Sequence, residues 1–200
     1  KQYYKPLKIG KITVVPEWET YTPSENETIL RIDPGMAFGT GNHETTSLCV
    51  EALQQYFIPG GTLVDLGCGS GILSITALLL GAEKAVGIDI DPNAVKVSGE
   101  NAALNIFPGT FTGIAGNILE EKTALVEGEK FDCIAANIVA DVILRFLPFA
   151  QELLREKGKM ILSGIITERG DEVKQALEAN GFSLLEVREK KGWLCIVAGR

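Results

Sequence analysis

From residue 62 onward the chain alternates short apolar, β-branched runs with longer stretches whose apolar positions recur at helical spacing. TLVDLG (62–67) reads as a strand ending in a glycine turn, and ILSITALLLG (72–81) as an apolar helix closed by Gly81. KAVGIDI (84–90) is the next strand. DPNAVKVSGENAALN (91–105) then begins with an aspartate cap and a proline at the first helical position, where its missing N–H costs nothing. FDCIAAN (131–137) and KGKMILSGI (157–165) predict strands, separated by a continuous helix over ADVILRFLPFAQELL (140–154). TERGDEVKQALEAN (167–180) predicts a helix ending at Gly181, and FSLLEVREKKGWLCIVAG (182–199) two strands around a KKG turn. This alternation is the pattern of a parallel sheet with helices on both faces. A closing hairpin adds one reversed strand at the end of that sheet.

Ahead of residue 62, KITVVPEW (11–18) and ETILRID (27–33) predict two short strands separated by the turn-rich TYTPSEN (20–26). An amphipathic helix is expected from about Asn42 to Phe57. The chain of 200 residues, 46% apolar, is long enough for one sizeable core. No apolar run reaches the roughly 18 residues of a membrane span, and the start lacks the apolar stretch of a signal peptide, which predicts a cytoplasmic protein with no membrane partner. The net charge of -7 argues against a broad phosphate-gripping surface, so no direct nucleic acid binding is expected. Lys1, Lys5, Lys8 and Lys11, interleaved with Tyr3 and Tyr4, read as a solvated face. Cys49, Cys68, Cys133 and Cys195 are scattered without metal-ligand spacing, so reduced, buried thiols and no metal site are expected.

The chemistry-bearing residues cluster at strand ends. VDLGCGSG (64–71) follows the first strand of the alternating series; Gly67, Gly69 and Gly71 allow a tight turn and close approach of backbone to a ligand. Asp89 ends the next strand 22 residues after Gly67, near the spacing at which an acidic side chain accepts from ribose hydroxyls. The loop departs from the dinucleotide pattern G-x-G-x-x-G and carries Asp65 just before it. A carboxylate there would repel a pyrophosphate but suits a cofactor carrying an ammonium and a sulfonium, which points to S-adenosylmethionine.

VDLGCGSGILSITA with VGIDIDP resembles the nucleotide-binding motifs of class I S-adenosylmethionine-dependent methyltransferases. DPGMAFGTGNHETT (33–46), DLGCGSGILSI, GIDIDPNAV with ENAALN, ANIVADVI and LSGI, in this order, resemble the ribosomal protein L-eleven (L11) methyltransferase family, PrmA. The resemblance implies an α/β, Rossmann-like fold with a mostly parallel seven-stranded sheet, a terminal antiparallel hairpin and helices on both faces. It implies lead-in strands and a glycine-rich cofactor loop over 1–41 and the methyltransferase domain over 42–200. Full-length members carry an N-terminal substrate-recognition domain ahead of the lead-in; its absence here suggests a catalytic domain cut from a longer protein, or a short member. Cofactor contacts are implied at Thr46, at Gly67 and Gly69 in the loop beside Asp65, at Asp89 with Ile90, and at Asn137. Asn117, with Gly116, falls where these enzymes place an adenine contact, and Phe38 is expected near the adenosine or methionine. The glycine-rich 33–46 segment is then expected to fold over the carboxyl edge of the sheet as a lid.

The implied reaction is methyl transfer to lysine and N-terminal amines of ribosomal protein L-eleven. Asn137 is the candidate catalytic residue, its amide oxygen accepting from the amine; the alternative is a strand-end Asn capping the helix that follows. His43 suits a helix start or loop lining better than a general base, and Asp33, Glu44 and Trp193 suit solvation or packing better than the site. Other substrates of the same fold, a different protein lysine or a small molecule, stay open, as does a NAD-dependent oxidoreductase.

Overall fold

The computed structural model describes residues 5–35 and 44–200. Phe38, His43 and the predicted start of the first helix at Asn42 lie outside the described residues, as does most of the expected lid. The lead-in forms its own sheet from β1 (Leu7–Ile9), β2 (Ile12–Pro16) and β3 (Thr28–Ile32), ordered β1-β2-β3. Sequence reading found β2 and β3 but not the three-residue β1, which is too short to show a period and pairs antiparallel with β2 across a turn at Gly10. Helix α1 (Glu44–Tyr56) follows.

The main sheet is built from β4 (Thr62–Leu66), α2 (Ile72–Leu79), β5 (Lys84–Asp89), α3 (Pro92–Ala103), β6 (Thr110–Ala115), α4 (Ile118–Glu121) and β7 (Phe131–Asn137). It continues with α5 (Ala140–Phe146), α6 (Ala150–Leu153), β8 (Leu154–Ile166), α7 (Gly170–Ala179), β9 (Ser183–Lys190) and β10 (Trp193–Gly199). The strand order is β6-β5-β4-β7-β8-β10-β9, with β4 through β8 mutually parallel. The fold is the expected mostly parallel seven-stranded sheet with an antiparallel hairpin.

Three expectations need correction. The helix predicted over 140–154 is broken: Pro148, which has no N–H to donate, sits in a 3-10 turn (Leu147–Phe149) between α5 and α6. The strand β6 was missed because it lies at the sheet edge, half exposed, and its TFTGIA run shows no clean apolar alternation. The reversed strand is β10, and it lies inside the sheet between β8 and β9, not at its end. Burial explains this order: WLCIVAG is apolar and buried, whereas SLLEVREK carries the charges a solvent-facing edge tolerates.

Strand β4 is buried along its whole length, its side chains alternating between two apolar clusters. Leu66 and Val64 join Phe131, Phe146 and Leu162 on one face. Leu63 joins Leu53, Ile75 and the lead-in residues Val14, Leu30 and Ile32 on the other, so the small sheet shares a core with α1 and α2. Among the described residues, no helix is long and apolar enough to cross a membrane.

Candidate active site

Strand order reverses direction between β4 and β7: β5 and β6 extend to one side, β7 and β8 to the other. The chain leaving neighbouring strands in opposite directions opens a crevice at their carboxyl ends, where ligands bind in open α/β sheets. A cavity of about 350 Å³ lies there. Among its walls are Thr46 of α1, Asp65, Gly67 and Gly69 after β4, Asp89 and Ile90 after β5, Asn117 after β6 and Asn137 at the end of β7. Eight positions singled out in the sequence, scattered over 91 residues, thus meet around one space.

Close approach of backbones makes this convergence possible. Gly67 has φ +72°, and a Cβ on it would stand 2.6 Å from Ile138 Cγ2. On the other side of Ile138, a Cβ on Gly164 of β8 (φ +83°) would stand 2.3 Å from the Ile138 carbonyl oxygen. Ile138, which follows Asn137, therefore packs its side chain against Gly67 and its main chain against Gly164, and its N–H donates to the Ser163 carbonyl at 3.0 Å. Gly164 was noticed in the sequence only as part of LSGI; its packing role needs a partner from β7 and has no local signature.

Asn137 does not cap the helix after it. Helix α5 begins at Ala140, with Val139 at the cap position and no side-chain bond there. Instead the Asn137 amide nitrogen donates to Thr46 Oγ1 at 3.2 Å. The amide oxygen has no hydrogen-bond donor among the described residues, and the residue lines the cavity.

Two carboxylates face the same space. Asp65 is 1% exposed, and its Oδ2 accepts from the Ser74 N–H at 3.2 Å and the Ser74 hydroxyl at 2.8 Å. Burial pushes its pKa up to about 7, aided by the negative charge of Asp89 and opposed by the two Ser74 bonds. Asp89 Oδ2 accepts from the Gly69 N–H and Oδ1 from the Asp91 N–H, each at 3.0 Å. Each oxygen keeps a lone pair for a ligand hydroxyl. Asp91 caps α3 as its sequence predicts, accepting from Asn93 N–H at 2.9 Å.

Asn117 is the N-cap of α4: its Oδ1 accepts from Leu119 N–H at 3.0 Å, and Glu121 reaches back to the Asn117 N–H. The side-chain oxygen at this implied adenine contact thus already holds one bond. Ile90 is 73% exposed at the rim. The apolar walls Ile72, Leu73, Ile118, Leu119 and Val142 were not singled out in the sequence. Ile118 and Leu119 directly follow Asn117, and that adjacency was the available signal.

Asp33, Glu44 and Trp193 are not among the cavity walls. Glu44 pairs with Lys191 at 3.5 Å, and Asp33 Oδ1 accepts from Gly35 N–H at 2.9 Å. All four cysteines are buried and free; burial pushes Cys68, which touches the cavity, up to about 12. Among the described residues no group of three His, Cys, Asp or Glu side chains is arranged to hold a metal.

A family model described as Ribosomal protein L11 methyltransferase (PrmA) matches residues 1–200. The ribosomal protein L11 methyltransferase of Caldicellulosiruptor saccharolyticus is 44% identical over 198 residues, 99% of this chain and 63% of that protein. That of Bacillus licheniformis is 47% identical over 200 residues, again 99% of this chain and 63% of the relative. The chain therefore spans 63% of the length of these relatives. The crystal structure of the ribosomal protein L11 methylase from Lactobacillus delbrueckii subsp. bulgaricus superposes with a TM-score of 0.88 at 34% identity, covering 98% of this chain and 99% of that one.

Proposed function

Because this chain belongs to the ribosomal protein L11 methyltransferase (PrmA) family, we propose that it transfers methyl groups from S-adenosylmethionine to amino groups of ribosomal protein L11. The observation that carries this reading is the convergence of Thr46, Asp65, the glycine loop, Asp89, Asn117 and Asn137 on one cavity at the switch point of the sheet. The cavity's chemistry fits the cofactor: apolar walls and glycine backbone for the adenosine, and two carboxylates for a ligand bearing hydroxyls and positive charge. A ribosomal-protein substrate also implies a cytoplasmic enzyme.

When bound, S-adenosylmethionine supplies an electrophilic methyl group on a sulfonium. The chain's residues bind, orient and exclude water. Asp89, steadied by the Gly69 and Asp91 N–H groups, would accept from the ribose hydroxyls. Asp65, ionised beside a cation, would complement the ammonium. Gly67 leaves room for the Ile138 side chain beside the cavity, and Ile90 and Ile118 would cover the adenine.

An amine attacks only as the neutral species. For a lysine of reference pKa about 10.4, deprotonation at pH 7 costs roughly 4 to 5 kcal/mol; for an α-amino group near 7.7 to 8.0 it costs about 1 kcal/mol. A neighbouring sulfonium and a desolvated pocket both lower the amine's pKa, so alignment matters more than a strong base. Asn137 suits that task. Thr46 accepts from its amide nitrogen, which turns the amide oxygen to accept an N–H of the incoming amine.

The test is transfer of labelled methyl to purified L11. The native chain is expected to label it and Asn137→Ala to do so at least about a hundredfold more slowly, the usual loss when a reacting atom is misplaced. Unchanged turnover in the variant would remove Asn137 from the mechanism, and no transfer by the native chain would remove L11 as its substrate.

A further inference from the structure

Helix α3 meets the rest of the domain largely through polar side chains. Ser98 and Asn101, one turn apart, are both buried, and Asn105 follows one turn beyond. Ser98 Oγ donates to the Gly69 carbonyl at 2.8 Å, and Asn101 Nδ2 donates to the Ser70 carbonyl at 2.8 Å. Asn101 Oδ1 accepts the Asp33 N–H at 2.9 Å. Asn105 Oδ1 accepts the Arg31 N–H at 2.8 Å while its Nδ2 donates to the Arg31 carbonyl at 2.9 Å. Arg31 near the end of β3 and Asp33 just past it thus find, on α3 and just beyond its end, the partners a further strand would supply.

The two asparagines differ in reach. Asn105, just past the end of α3, satisfies β3 and the Asn101 carbonyl. Asn101 joins two segments with one amide, the end of β3 and the glycine loop. Gly69 is gripped from both sides of its residue: its carbonyl by Ser98, its N–H by Asp89 Oδ2. An amide at 1% exposure is costly unless both ends are bonded, and a contact needing only packing would take an alanine, as at Ala102 beside it.

We infer that Asn101 is a positioning residue for the cofactor site: it holds the glycine loop against α3, keeping the Gly69 N–H on Asp89, and ties the end of β3 to the same point. This rests on reading the cavity as the S-adenosylmethionine site. Neither Asn101 nor Asn105 lines the cavity, so the effect of Asn101 passes through the loop.

Calorimetry of the 200-residue chain with S-adenosylmethionine tests it. Asn101→Ala and Asn105→Ala are both expected to lower Tm, since each strips main-chain groups of partners. Only Asn101→Ala is expected to weaken the cofactor, by about tenfold, the effect of one lost buried hydrogen bond. Asn101→Asp keeps the acceptor for Asp33 and loses the donor to Ser70, and should weaken binding as the alanine does. Wild-type affinity in Asn101→Ala beside a lowered Tm would reduce Asn101 to stability alone and overturn the inference. In the unaltered protein, the cofactor is expected to slow amide exchange at Gly69 and Asp33 together; slowing at Gly69 without Asp33 would also overturn it. Failure of the unaltered chain to bind the cofactor would instead defeat the cofactor reading, and this inference with it.

Discussion

At the scale of single residues, Asp65 and Gly164 give the sharpest expectations. The Asp65 carboxyl titrates near 7 in the folded protein against an ordinary 3.8, because burial disfavours its charge. Its stabilising contribution is complete below about pH 4 and is lost as pH rises through 7, on the order of 4 kcal/mol in all. Asp65→Asn keeps an acceptor for Ser74 without the charge, so it should raise Tm at pH 8 and leave it nearly unchanged at pH 4. Thermal denaturation at the two pH values checks this, and a variant less stable than the native protein at pH 8 would refute it. Cofactor affinity should rise between pH 6 and 8 in the native protein, as the carboxylate ionises, and stay flat in the variant. Gly164→Ala would drive a Cβ into the Ile138 carbonyl at a φ that alanine avoids. Steady-state kinetics should show kcat down by about a hundredfold from displacement of Asn137; an unaltered kcat would mean that the 137–138 main chain yields without consequence.

At the scale of elements, local signals succeeded where the element is autonomous. The Asp91-Pro92 start of α3 and the positive φ of Gly81 and Gly181 after α2 and α7 are properties of a few contiguous residues, and the sequence carries them openly. Strand β6 failed the same test because an edge strand needs no apolar face, and the 140–154 helix was overextended because its apolar spacing continues across Pro148. The KKG turn is a two-residue loop with φ +49° at Lys191 and +81° at Gly192, the signs of a type I′ hairpin. Lysine sits poorly there, and its exposed pair with Glu44 is worth little. Lys191→Asn should therefore stabilise the hairpin by roughly 0.5 to 1 kcal/mol, read as a Tm increase of a few degrees; a lower Tm would contradict it.

At the scale of the whole molecule, the two apolar clusters share one sheet, and the cavity opens where the strand order turns. A ligand that binds only the folded state adds about 2.7 kcal/mol at a hundred times its Kd. S-adenosylmethionine should accordingly raise Tm by several degrees and NAD should not; stabilisation by NAD alone would favour the oxidoreductase alternative. By itself the sequence determined the alternating α/β plan, the glycine loop, the acidic strand end at Asp89 and the family, since each is written in neighbouring residues or in motif order. Only the tertiary structure decided that Asn137 bonds Thr46 rather than capping α5, that Gly164 must be bare, that β10 lies inside the sheet, and that Asp65 titrates near neutrality. Each of these depends on groups far apart in the chain, whose contact and desolvation exist only once both faces of the sheet are packed.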